Sequence, residues 1–119
     1  MEEKRRIEFY KDYFSDFYAE LSYNVRKKIQ FVFKIIRKES SIPQKFLKHI
    51  EDTDGLYEIR VTLGSNIYRI FCCFDKGNLV VLFNAYQKKT QKTNPQEIKL
   101  ALKLKNEYFK TKKNGKISE

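Results

Sequence analysis

Arg60, Arg69, Tyr86, Lys88 and Lys89 are the chain's strongest candidates for a reactive site, and all fall within residues 55–92, GLYEIRVTLGSNIYRIFCCFDKGNLVVLFNAYQKKTQK. Arginine presents a fixed fork to a phosphate, and a lysine crowded by other cations holds its proton less tightly and can serve as a base. Such a set suits cleavage of RNA by its own 2′-hydroxyl. The protein then has to align that oxygen, stabilise the extra negative charge on the pentacoordinate phosphate and assist proton transfer. The reaction needs no metal and no other cofactor. A plainer reading stands beside it: either arginine can pair with Glu58 as a salt bridge, and Tyr86 can be a core residue.

Other chemistries find little support. There is no phosphate-cradling glycine loop, zinc cluster, nucleophile elbow or paired-carboxylate site. His49 is the single histidine and lies in a lysine-rich stretch that suits the surface. Cys72 and Cys73 are adjacent, so on a strand they point to opposite faces and do not bond to each other. Structural packing is their expected role.

These residues need a sheet to hold them. Tyr57, Ile59, Val61 and Leu63 alternate with Glu58, Arg60 and Thr62, the period of a strand with one buried face. The turn residues Gly64-Ser65-Asn66 lead into the apolar run Ile67 to Phe74, and Asp75-Lys76-Gly77-Asn78 into Leu79 to Tyr86. A three-stranded meander is the expectation. Upstream, Arg6 to Tyr10 suits a first strand at the sheet's edge. Phe14, Phe17, Tyr18 and Leu21 then keep helical spacing, as do Val25, Ile29, Val32, Phe33 and Ile36 after the capping residue Ser22. Ser40-Ser41-Ile42-Pro43 ends the second helix, and Gln44 to Ile50 suits one further short helical turn. Thr93-Asn94-Pro95 opens a last helix running to about Phe109, followed by a polar, basic tail from about residue 110 that is expected to fray. The reading is an α+β fold, one domain over residues 1–119. Two N-terminal helices pack on one face of an antiparallel sheet, a C-terminal helix follows, and the opposite face is left partly open for function.

Composition agrees with a packed core: the 119 residues are 41% hydrophobic and 15% aromatic. The net charge of +10 is uneven, with fifteen basic against twelve acidic residues up to Ala85 and ten against three from Tyr86 onward. That field suits phosphate backbones, anionic lipid heads or an acidic protein, and charge alone does not choose. No apolar run reaches the length of a membrane span and the N-terminus lacks a signal peptide's apolar core, so a cytoplasmic protein with no membrane partner is expected.

The order LYEIR, YRIF and AYQKKTQKTNPQEI, followed by an amphipathic helix, resembles the RelE/HigB-like type II toxins, and within them the phage-derived branch; the similarity spans about Phe9 to Phe109. The resemblance implies a ribosome-dependent mRNA endoribonuclease that inhibits translation by cutting mRNA in the ribosomal decoding site, with rRNA as a binding partner. It also implies a cognate antitoxin from an adjacent gene, commonly a helix-turn-helix protein. Carried over, Arg69 is the arginine expected at the scissile phosphate, Arg60 the one beside it, and Lys88 and Lys89 the paired lysines where a cation or base acts. Tyr86 stands where the branch more often has Phe, which suits stacking. Asn84 stands where some relatives have His, and with Lys92 it completes the expected RNA-contacting set. Two alternatives carry no catalysis: an RNA- or ribosome-binding module, and a regulatory domain whose charge serves an acidic partner.

Overall fold

The computed structural model describes residues 3–88 and 94–118, with side chains through Lys112. Its elements run β1 (Arg6–Phe9), α1 (Tyr13–Ala19), α2 (Tyr23–Lys38), β2 (Leu47–His49), β3 (Tyr57–Leu63), β4 (Asn66–Asp75), β5 (Leu79–Lys88) and α3 (Pro95–Ser118). They make one five-stranded sheet of order β1-β5-β4-β3-β2 with helices on both faces.

The meander is where the alternating pattern puts it. Leu63 pairs with Asn66 across a two-residue loop whose first member, Gly64, has φ +62°, the conformation a side chain resists and a hairpin of native twist needs. Opposite faces of the strands feed separate cores. Ile59, Val61, Ile70, Cys72 and Leu82 pack with Phe14, Ile29, Val32 and Phe33 of α1 and α2. Phe71, Cys73, Val81 and Phe83 pack with Ala101 and Leu104 of α3. Cys72 and Cys73 thus part to the two faces as their adjacency requires, and burial raises both thiols, that of Cys73 to about 12.

Three features depart from the sequence reading. Gln44 to Ile50 holds a strand rather than a helical turn: Leu47 and His49 pair with Ile59 and Tyr57, and the sheet gains an edge. β1 does lie at the opposite edge, but parallel to β5, with Arg6 beside Leu79 and Phe9 beside Leu82, so the sheet is mixed. The third is α3, which continues past Phe109 to Ser118 and covers part of the face expected to be open.

α2 is fixed at both ends. Ser22 accepts from the Val25 amide at 3.5 Å. At the other end the Arg5 guanidinium donates to the carbonyls of Ile36, Glu39 and Ser40 at 3.0, 2.8 and 3.1 Å, where a helix leaves acceptors unsatisfied and favours positive charge. Among the described residues, no helix is long and apolar enough to cross a membrane.

Candidate functional site

On the α3 side of the sheet the strand registers line up three rows. Lys48, Glu58 and Phe71 form one, Arg60, Arg69 and Tyr86 the next, and Thr62, Ile67 and Lys88 the last. Cross-strand partners share a face, so these side chains emerge together. α3 packs over the Phe71 end through Ile98 and Ala101, while Arg60 and Lys88 remain partly accessible and Lys48 is exposed. The face is therefore half covered, and its open half is cationic.

Beneath that open half lies a buried ion pair. Glu58 and Arg69 are 2% and 3% exposed, and Arg69 Nη1 donates to both carboxylate oxygens of Glu58. Both charges lose hydration, and each is tolerable only because the other is there. This corrects the expectation that Arg60 and Arg69 together present an exposed sheet surface. Arg60 lies at the rim, where β2 has ended, its amide donating to the Phe46 carbonyl at 2.8 Å; Arg69 is a strut in the floor.

Lys88 stands above this floor. Its ammonium is pushed below the ordinary lysine value by burial first and then by the Arg69 charge, with Arg60 and Lys48 adding to the effect and Glu58 opposing it. Three cations thus act on Lys88 from the three other strands β2, β3 and β4. Lys89 and Lys92 lie outside the described residues.

Tyr86 is partly buried. Its ring stacks on Phe71 with centroids 5.9 Å apart and planes 18° apart, and its hydroxyl accepts from the Asn94 amide at 3.2 Å. Asn94 in turn caps α3, its side chain accepting from the Gln96 amide at 2.9 Å, with Pro95 at the first helical position. Asn84, expected among the RNA contacts, is instead buried at 3% exposure. A bulge explains the change: Ile70 pairs with Ala85 but Cys72 with Leu82, so β5 carries one extra residue there and is re-aimed. Asn84 Nδ2 donates to the carbonyl and to Oε1 of Glu97, both at 3.0 Å, fastening the first turn of α3 to the sheet.

Lys48 is the residue that sequence reasoning missed. Read as part of a helical turn it has no fixed neighbour; read on β2 it is the cross-strand partner of Glu58. The signal was the alternation of Leu47, Lys48 and His49, too short to outweigh the helical reading. Lys48 and Glu58 line a cleft of about 290 Å³ with His49, Ile50, Glu51 and Ile98. His49 faces the other way, its Nε2 3.0 Å from the Thr53 carbonyl oxygen and its ring edge-on to Tyr57 at 5.2 Å. Among the described residues no group of His, Cys, Asp and Glu is placed to hold a metal ion. The arrangement can bind a phosphate at its rim and offer a lysine of weakened proton affinity beside it.

Comparison with known proteins adds a family and a fold. The chain is similar in structure to the RelE protein in the crystal structure of an archaeal RelE-RelB complex from Pyrococcus horikoshii OT3. The TM-score is 0.53 at 18% identity, covering 71% of this chain and 96% of that one. No curated protein sequence matches significantly. Residues 16–106, which include most of both cores and every residue of the three rows, match the family described as "Phage derived protein Gp49-like (DUF891)". With a RelE-like fold and a family match over most of its length, the chain belongs to the phage-derived Gp49-like family.

Proposed function

We propose that the protein is the toxin of a toxin–antitoxin pair and cleaves mRNA on the ribosome by attack of the substrate's own 2′-hydroxyl. The observation that carries this reading is the open cationic half-face: a lysine with lowered proton affinity stands beside an accessible arginine, over a buried Glu58–Arg69 pair. Family membership and the fold shared with RelE, a protein solved in complex with RelB, support it and suggest an antitoxin partner.

In the proposed step the neutral Lys88 amine accepts the 2′-hydroxyl proton as that oxygen bonds to phosphorus. The bond to the 5′-oxygen breaks, a 2′,3′-cyclic phosphate forms and the departing oxygen takes a proton from solvent. Arg60 supplies the fork that meets the charge building on the equatorial oxygens. Arg69, held by Glu58, acts as a positioning residue: it keeps the floor in place and its charge weakens the hold of Lys88 on its proton. Tyr86 offers part of its ring to a base, and Lys89 and Lys92, which follow β5 in the sequence, are proposed as further phosphate contacts.

Expression of the intact chain should arrest growth and cut translated mRNA, and Lys88→Ala should relieve both while the protein still folds. Growth arrest with intact mRNA would refute the reading.

A further inference from the structure

Phe31 is 50% exposed at the middle of α2, far along the chain from the catalytic rows, and Tyr23 is 66% exposed two turns earlier. A single exposed aromatic is ordinary. Here each is accompanied by a cation: the Lys28 ammonium lies 5.1 Å from the Phe31 ring centroid and that of Lys27 lies 5.4 Å from the Tyr23 centroid. Between Tyr23 and Lys38, α2 carries six basic residues and no acidic one. Rings with accessible faces set among cations are the equipment by which proteins hold single-stranded nucleic acid.

The clefts around this helix connect to the site already described. One of about 760 Å³ lies between α2 and the β3–β4 turn, with Lys28 and Phe31 on its wall and Leu63 and Tyr68 in its floor. A second, of about 580 Å³, shares Lys28 and Phe31 with the first and reaches Lys45, Phe46 and Arg60. A third, of about 270 Å³, shares Lys45 and Arg60 with the second and reaches Lys48, which also lines the cleft beside Glu58. Each cleft shares cations with the next. The path follows from the shortness of β2, three residues long: after the Phe46 carbonyl takes the Arg60 amide, no strand among the described residues pairs with the rest of that edge of β3.

We propose that a strand of RNA leaving the catalytic rows crosses the end of β2 over Lys48, Arg60 and Lys45 and stacks a base on Phe31. The proposal rests on the RNase reading for its substrate class. Continuity with the cationic rows and the uniform sign of α2 favour RNA over an acidic protein segment, which would want one uninterrupted apolar groove rather than clefts divided by the Lys28–Phe31 ridge.

The test uses the full chain and 2′-O-methyl oligoribonucleotides, which carry no nucleophile, at lengths of roughly three and roughly twelve nucleotides, read by fluorescence anisotropy. The longer strand should bind at least about tenfold tighter; Phe31→Ala should remove most of that gain, Phe31→Trp should keep it, and the short strand should bind all three proteins alike. Lys28→Gln should weaken the longer strand and reduce its salt slope by about 1. Equal affinity for both lengths, or a Phe31→Ala protein that holds the longer strand unchanged, would overturn the proposal. So would a glutamate-rich peptide that competes for Phe31 where the long RNA does not. Cleavage of translated mRNA is scored separately. Length- and Phe31-dependent binding without cutting keeps the path and refutes the nuclease; cutting without that dependence does the reverse.

Discussion

The two faces of the sheet solve different problems. On the α1–α2 side, strand residues such as Ile59, Val61, Ile70 and Leu82 meet helix residues such as Ile29, Val32 and Phe33, and the contact is apolar and fully buried. On the α3 side the same strands carry an apolar cluster at one end and a buried ion pair under a cationic rim at the other. Burying Glu58 and Arg69 does little for stability that hydrophobic residues of similar size would not do as well. The first face holds the chain together, and the second keeps charge where a phosphate could meet it.

The sharpest way to break that division is to ask whether activity and stability separate. Lys88→Ala should lower cleavage about a hundred- to ten-thousandfold, the span of a lost general base, with the unfolding midpoint unchanged. Because the proposed step uses the neutral Lys88 amine and its value is depressed, the rate should rise with pH through an apparent pKa below the usual lysine value. Lys88→Arg keeps the charge and should be as inactive as the alanine variant.

Arg69→Ala should cost about 3–5 kcal/mol in denaturant unfolding, because it strands the Glu58 carboxylate in the interior. Arg69→Met combined with Glu58→Leu should recover most of that stability and none of the activity. A double variant that stays active would show the pair to be scaffold alone.

Asn84→Ala should cost about 1–3 kcal/mol, since Glu97 loses the amide that secures α3 to the bulged strand. The smallest effect is expected at the far end of that helix. Asp75 is held down to about 2: burial raises it, but hydrogen bonds from Lys112 at 2.6 Å and Tyr108 at 2.5 Å more than offset this. A carboxylate depressed in the fold contributes stability that is fully present above its unfolded value of 3.8 and is lost as pH falls toward about 2. Asp75→Asn should flatten the acid limb of the stability profile in that window, whereas the α1–α2 core should be indifferent to it.

Much of this was legible before the structure. The alternation of Tyr57 to Leu63, the glycine turns and the spacing of Val25 to Ile36 dictate a meander and a long amphipathic helix, because each pattern is local and repeats several times. β2 escaped because three residues are too few to show a period. The parallel pairing of β1 escaped because it depends on contacts across the whole chain. The site was half legible. Period two puts Glu58 and Arg60 on one face, and the turn brings Arg69 beside Arg60, but nothing local says which arginine is sunk beneath the other. Nor does a single sequence reveal the extra residue in β5 that turned Asn84 into a fastening for α3.

The most direct test maps RNA ends on translating ribosomes after brief expression of the intact chain and of Lys88→Ala. The account predicts discrete cuts within translated codons, ending in 2′,3′-cyclic phosphate, that disappear in the variant. Cuts that persist without Lys88, or ends bearing a free 3′-hydroxyl, would contradict it.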